Sequence, residues 1–79
     1  MVTKQQIPAV VTDFVKLAVN AADSKTHDAR RRNAAAAERL FAVMTAAAQR
    51  QALAQIDAAG IAFWISSDEQ VARFARKGN

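Results

Sequence analysis

The stretch Gly60-Ile61-Ala62-Phe63-Trp64-Ile65-Ser66-Ser67-Asp68-Glu69-Gln70-Val71-Ala72-Arg73-Phe74-Ala75-Arg76-Lys77 decides the fold. Ile61 to Ile65 is the densest apolar run in the chain, and its length suits a strand or a buried turn of helix, which periodicity alone does not separate. A strand here would need a partner, for which the sequence offers only the short Met1 to Thr3 end. Downstream, Ser66 with Glu69, or Ser67 with Gln70, has the spacing of a capping box. Val71, Phe74 and Ala75 then recur at helical steps, and Arg73, Arg76 and Lys77 sit where a helix dipole favours cations. The stretch therefore predicts an irregular or helical segment over 61–65 and a last helix over about 67–77. The fold class that follows is all-α, a small three- to four-helix bundle in one domain over 1–79.

Upstream, the segment from about 27 to Ala59 has no Gly, no Pro and little β-branching, and Gly60 is suited to stop a helix. Unbroken, it would be a helix about 50 Å long, too long for a domain of this size. Leu40 and Met44 lie on one helical face while Leu53 and Ile56 lie on another, with the change across Gln49-Arg50-Gln51. We expect a kink near Gln49–Gln51, or else a long helix that buries Leu53 and Ile56 against a second copy. Thr26 or Ser24 is placed to cap its start, with Asp28 in the first turn. Before that, Pro8 opens a helix over about 8–23, with Val11, Phe14, Val15, Ala18 and Ala22 on its apolar stripe.

Composition narrows the chemistry. The chain has 79 residues, 20 of them alanine, and so supports one modest core. It has no cysteine, which removes disulfides, thiolate metal sites and thiol redox chemistry. His27 is the one histidine, and beside Asp28 it reads as a solvated helix-start residue rather than a general base. Asp57, Asp68 and Glu69 have no metal-loop spacing, and no Gly-rich phosphate loop or nucleophile elbow is present. The expectation is no catalytic residue, no metal and no cofactor. With neither a membrane-length apolar run nor a signal-like N-terminus, the expected compartment is the cytoplasm and the expected partners include no membrane.

Charge is the strongest signal. The formal surplus of +4 lies wholly on residues 30–50, where Arg30, Arg31, Arg32, Arg39 and Arg50 face only Glu38. On a straight helix Arg32, Arg39 and Arg50 fall on one line. Such a ridge is either the solvated polar face that a core helix needs, for which arginine is a good helix former, or a surface for an acidic protein or a phosphate backbone; these five arginines are the candidate partner-binding residues. Phe63 and Trp64 are expected as the aromatic plug of an alanine-rich core; an exposed Trp64 would instead mark an interface. The chain is expected to be a monomer or a homodimer.

Taken whole, the chain resembles the small, cysteine-free, single-domain proteins that phages and prophages encode to block host machinery, anti-CRISPR proteins among them. The resemblance rests on size, the absence of catalytic residues, the basic segment from Arg30-Arg31-Arg32 to Arg50, and the compact Ile61 to Ile65 plug. It implies a non-enzymatic inhibitor that occludes a surface of a CRISPR effector subunit. The alternative is a small nucleic-acid-binding accessory or regulatory protein.

Overall fold

A computed structural model describes residues 8–78. Three helices, α1 (Ala9–Asp23), α2 (His27–Ala42) and α3 (Ala46–Ala58), precede two strands, β1 (Ile61–Ile65) and β2 (Ala72–Arg76). The protein is therefore mixed helix and sheet, and the expected all-α bundle is corrected.

The first helix follows its apolar spacing. Val11, Phe14, Ala18 and Ala21 are buried along one stripe, and Pro8 precedes the first turn, where its carbonyl accepts from the Val11 and Thr12 amides. The second begins as its capping residues dictate, with the Thr26 hydroxyl accepting from the Ala29 amide at 3.1 Å. α1 and α2 pack along their lengths, and Ala18, Ala21, Ala34 and Ala37 are all buried. Side chains this small let two helical backbones approach closely.

The long helix breaks earlier than Gln49–Gln51. It ends at Ala42 and restarts at Ala46, with Val43 to Thr45 forming the corner. The Thr45 hydroxyl caps the new helix by accepting from the Ala48 amide at 3.1 Å. Gln49 does not interrupt anything: its side-chain amide donates to the Phe41 carbonyl at 2.9 Å, satisfying an end of α2 that the break exposes. The apolar phase shift agrees with a break, but the cap that starts the new helix lies four residues upstream of Gln49. Gly60, at φ 79°, then turns the chain out of α3 in the left-handed conformation expected of it.

The expected last helix over 67–77 is a hairpin loop and a strand, and 61–65 is a strand rather than an irregular or helical segment. β1 and β2 pair antiparallel, with Phe63 opposite Phe74 and Trp64 opposite Arg73. The proposed strand partner Met1 to Thr3 lies outside the described residues. The capping signal at Ser66 is used, but for a turn: its hydroxyl accepts from the Glu69 amide at 3.4 Å, and its carbonyl accepts from the Gln70 amide. Gln70 then adopts φ 55°, which ends the incipient helical turn and sends the chain back as β2. Within β2, Ala72 and Phe74 are buried while Arg73 and Ala75 alternate with them, a period of two.

The core draws on all five elements. At its centre stand all four phenylalanines of the chain, one each from α1, α2, β1 and β2. Phe14 is fully buried, with ring centroids 5.4 Å from Phe41, 6.3 Å from Phe63 and 5.8 Å from Phe74. Phe63 and Phe74 stack across the two strands at 4.8 Å. These contacts fasten the hairpin to the helices. A two-stranded hairpin is marginal alone and needs such support.

Candidate binding surface

Lys16 and Lys25 are exposed and in no ion pair among the described residues, and the arginines with Lys77 fall into two groups. On β2 and just after it, each one has an acidic partner. Arg76 grips Asp23 with two bonds, Nε to Oδ1 at 2.8 Å and Nη2 to Oδ2 at 2.7 Å, which ties the hairpin to the end of α1. Arg73 pairs with Glu69 in the hairpin loop, and Lys77 pairs with Asp57 at the end of α3. The Arg76 guanidinium, chiefly through these hydrogen bonds, holds the Asp23 carboxyl below the ordinary carboxylate range, and Asp23 in turn raises Arg76.

The five arginines expected to bind a partner stand differently. Among the described residues, Arg30, Arg31, Arg32, Arg39 and Arg50 form no ion pair, and all five are exposed. Arg30 is partly occupied: its Nη2 donates to the Ser24 carbonyl at 3.1 Å, bracing the α1–α2 connection. Arg32 and Arg39, two helical turns apart, lie on the side of α2 opposite the buried Ala34 and Ala37. Arg31 lies on the flank nearer β2, where it lines a cleft of about 90 Å³ with Glu38 and Arg73 over Ala35, Val71 and Ala72. Arg50 leaves the line. It belongs to α3, beyond the corner at Val43 to Thr45, so the straight ridge of three guanidiniums reduces to Arg32 and Arg39.

The sheet adds a feature that sequence reasoning placed in the core. Phe63 packs inward, but Trp64 is 48% exposed and Ile65 52%. The signal was available in the alternation of Ile61 and Phe63: if both face the helices, Trp64 faces away. The outer face of the sheet thus carries Ala62, Trp64, Arg73 and Ala75.

His27 is exposed at the start of α2. Among the described residues, no three His, Cys, Asp or Glu side chains gather as a metal site would require, and no helix is long and apolar enough to cross a membrane. Compared with protein-family models, with curated proteins and with solved structures, the chain matches none.

Proposed function

We propose that this protein works by binding and covering another macromolecule, without catalysis, and that its binding face is the arginine side of α2. Arg32 and Arg39 are the centre of that face, with Arg31 on the β2 flank, Arg50 beyond the corner and Arg30 at the base. The partner that suits it is an acidic protein surface, since guanidiniums pair with carboxylates in two-bond geometry. A subunit of a CRISPR effector complex, met in the bacterial cytoplasm, is the partner the class resemblance implies. The observation that carries the reading is a division among the cations: those of the hairpin side are neutralised within the molecule, while Arg31, Arg32 and Arg39 of α2 are exposed and without acidic partners among the described residues. Capture from a lysate of the native host tests it. The Arg32→Glu/Arg39→Glu variant should lose the partner while keeping its helical circular dichroism. A partner retained by that variant contradicts the assignment.

A second reading has one observation in its favour. Trp64 is half-exposed and stands directly across from Arg73. A stacking ring beside a guanidinium suits single-stranded nucleic acid. Arg73 is engaged by Glu69, however, and only one aromatic is offered on the face, so the protein-partner reading is preferred. A salt titration separates them: nucleic-acid binding through several phosphates weakens with a log–log slope near about −3 or steeper.

A further inference from the structure

We infer that the edge of β1 left open among the described residues pairs with the β1 edge of a second copy of this chain, giving a weak, two-fold symmetric dimer with a four-stranded sheet. The inference is independent of the arginine face. The hydrogen-bond phase of the hairpin is set by its two ends, where the Lys77 amide donates to the Gly60 carbonyl and the Ser66 amide to the Val71 carbonyl. With the register of Phe63 on Phe74, residues 62 and 64 point their N–H and C=O groups at β2, whereas those of Phe63 and Ile65 point away. No acceptor among the described residues takes the Phe63 or Ile65 amide. The strand beside this open edge is short, but it has no charged residue and no proline, two of the devices that protect an edge.

The edge is complementary to itself. An antiparallel two-fold centred on Phe63 makes Phe63 face Phe63 of the second copy as a hydrogen-bonded pair and makes Ile61 face its Ile65. On the outer face, Trp64 then lies across from Ala62 of the second copy, large against small. On the inner face, Ile65 is brought beside the other copy's Ile61. There a groove of about 300 Å³ runs between α3 and β1, lined by Leu53, Ile56, Ile61 and Phe63. Its rim charges, Asp57 and Lys77, cancel in their own ion pair. This is what favours a second copy as the occupant. Two identical chains meet here with no unpaired like charges brought into contact, which they could not do along α2, and a strongly charged partner finds nothing to complement. A five-residue strand with two half-exposed side chains offers less than the about 800 Å² per partner of a standard interface, so the dimer is concentration-dependent.

Sedimentation velocity over about 10 µM to about 1 mM tests this, the range proper to a small, transient interface. The weight-average mass should climb towards twice the monomer value. Ile65→Lys, which puts a charge on the edge, and Ile65→Pro, which removes an amide the hairpin does not use, should each hold the chain at monomer mass. Arg32→Glu/Arg39→Glu should associate like the wild type. A wild type that stays monomeric at the top of the range overturns the inference, as does a dimer that persists in both Ile65 variants. If neither variant folds, amide exchange on the wild type decides. Phe63 and Ile65 should slow at least about tenfold at high concentration while Ala62 and Trp64 do not change; equal behaviour at all four overturns it.

Discussion

Arg73, Arg76 and Lys77 on the hairpin side and Arg31, Arg32 and Arg39 on α2 carry the same charge on surfaces only a few residues' width apart. The first three close onto Glu69, Asp23 and Asp57, drawn from the hairpin loop, α1 and α3. The second three sit on a helix whose acids, Asp28 and Glu38, form no ion pair with them. Net charge alone does not distinguish these regions. The distinction arises because Arg73, Arg76 and Lys77 reach carboxylates in the hairpin loop and at the ends of α1 and α3, whereas the outer side of α2 has no neighbouring element among the described residues. Positive charge on β2 helps hold the hairpin to the helices; on α2 only Arg30 braces the fold, through the Ser24 carbonyl, and Arg31, Arg32 and Arg39 form no ion pair among the described residues.

Several substitutions break or sharpen that contrast. The largest effect should come from Phe14→Ala, which removes the ring on which Phe41, Phe63 and Phe74 converge. Truncating a buried Phe costs about 3–5 kcal/mol, against a total near about 5–15 kcal/mol for a native domain. Thermal denaturation should show the variant largely unfolded or melting far below the wild type. Hairpin and helices should be lost together, because they share that cluster.

Next comes charge reversal on each side. Arg32→Glu/Arg39→Glu should weaken partner binding on the order of 1,000-fold, the scale of two lost hot-spot cations at about 2 kcal/mol each, while leaving the melting midpoint nearly unchanged. Arg76→Glu should do the opposite, since it faces Asp23 with a like charge. It should lower the midpoint and spare binding. Titration calorimetry with the captured partner, beside thermal melts, measures both.

The smallest effect belongs to Asp23→Asn. The Asp23 carboxyl sits below its unfolded value, so its contribution is present above the ordinary carboxylate pKa of about 4 and is lost as pH falls through the lower folded value. Wild type and variant should differ slightly at neutral pH and converge in acid. A difference that grows on acidification would mean that the ion pair is not the source.

Much of the helical layer was legible in the sequence, and the reasons are specific. Helix α1 has fifteen residues and an apolar stripe that no other period explains. Thr26 and Gly60 mark a start and a stop through backbone requirements that few other residues meet as well. The hairpin was not legible because five residues are too few for periodicity to decide. Val71, Phe74 and Ala75 fit a helix, and Ala72 and Phe74 fit a strand equally well. Ser66 offers a helical cap that the fold spends on a turn, and the strand that pairs with β1 begins eleven residues after β1 does, inside a stretch that also fits a helix. The break of the long helix was displaced for a related reason. The change of apolar face shows up at Gln49 to Gln51, but the hydroxyl that caps the new helix is on Thr45. The arginines were legible as a charge excess. Which of them lack internal partners was not, because that depends on where β2 lies.

The central claim is that the α2 arginines, and not the hairpin cations, form the working surface. The most direct measurement is quantitative capture of the native partner by the wild type, by Arg32→Glu/Arg39→Glu and by Arg73→Glu/Lys77→Glu, each first confirmed folded. The account predicts that the α2 variant returns empty while the hairpin variant still binds. Full binding by the α2 variant, with loss in the hairpin variant, would contradict it.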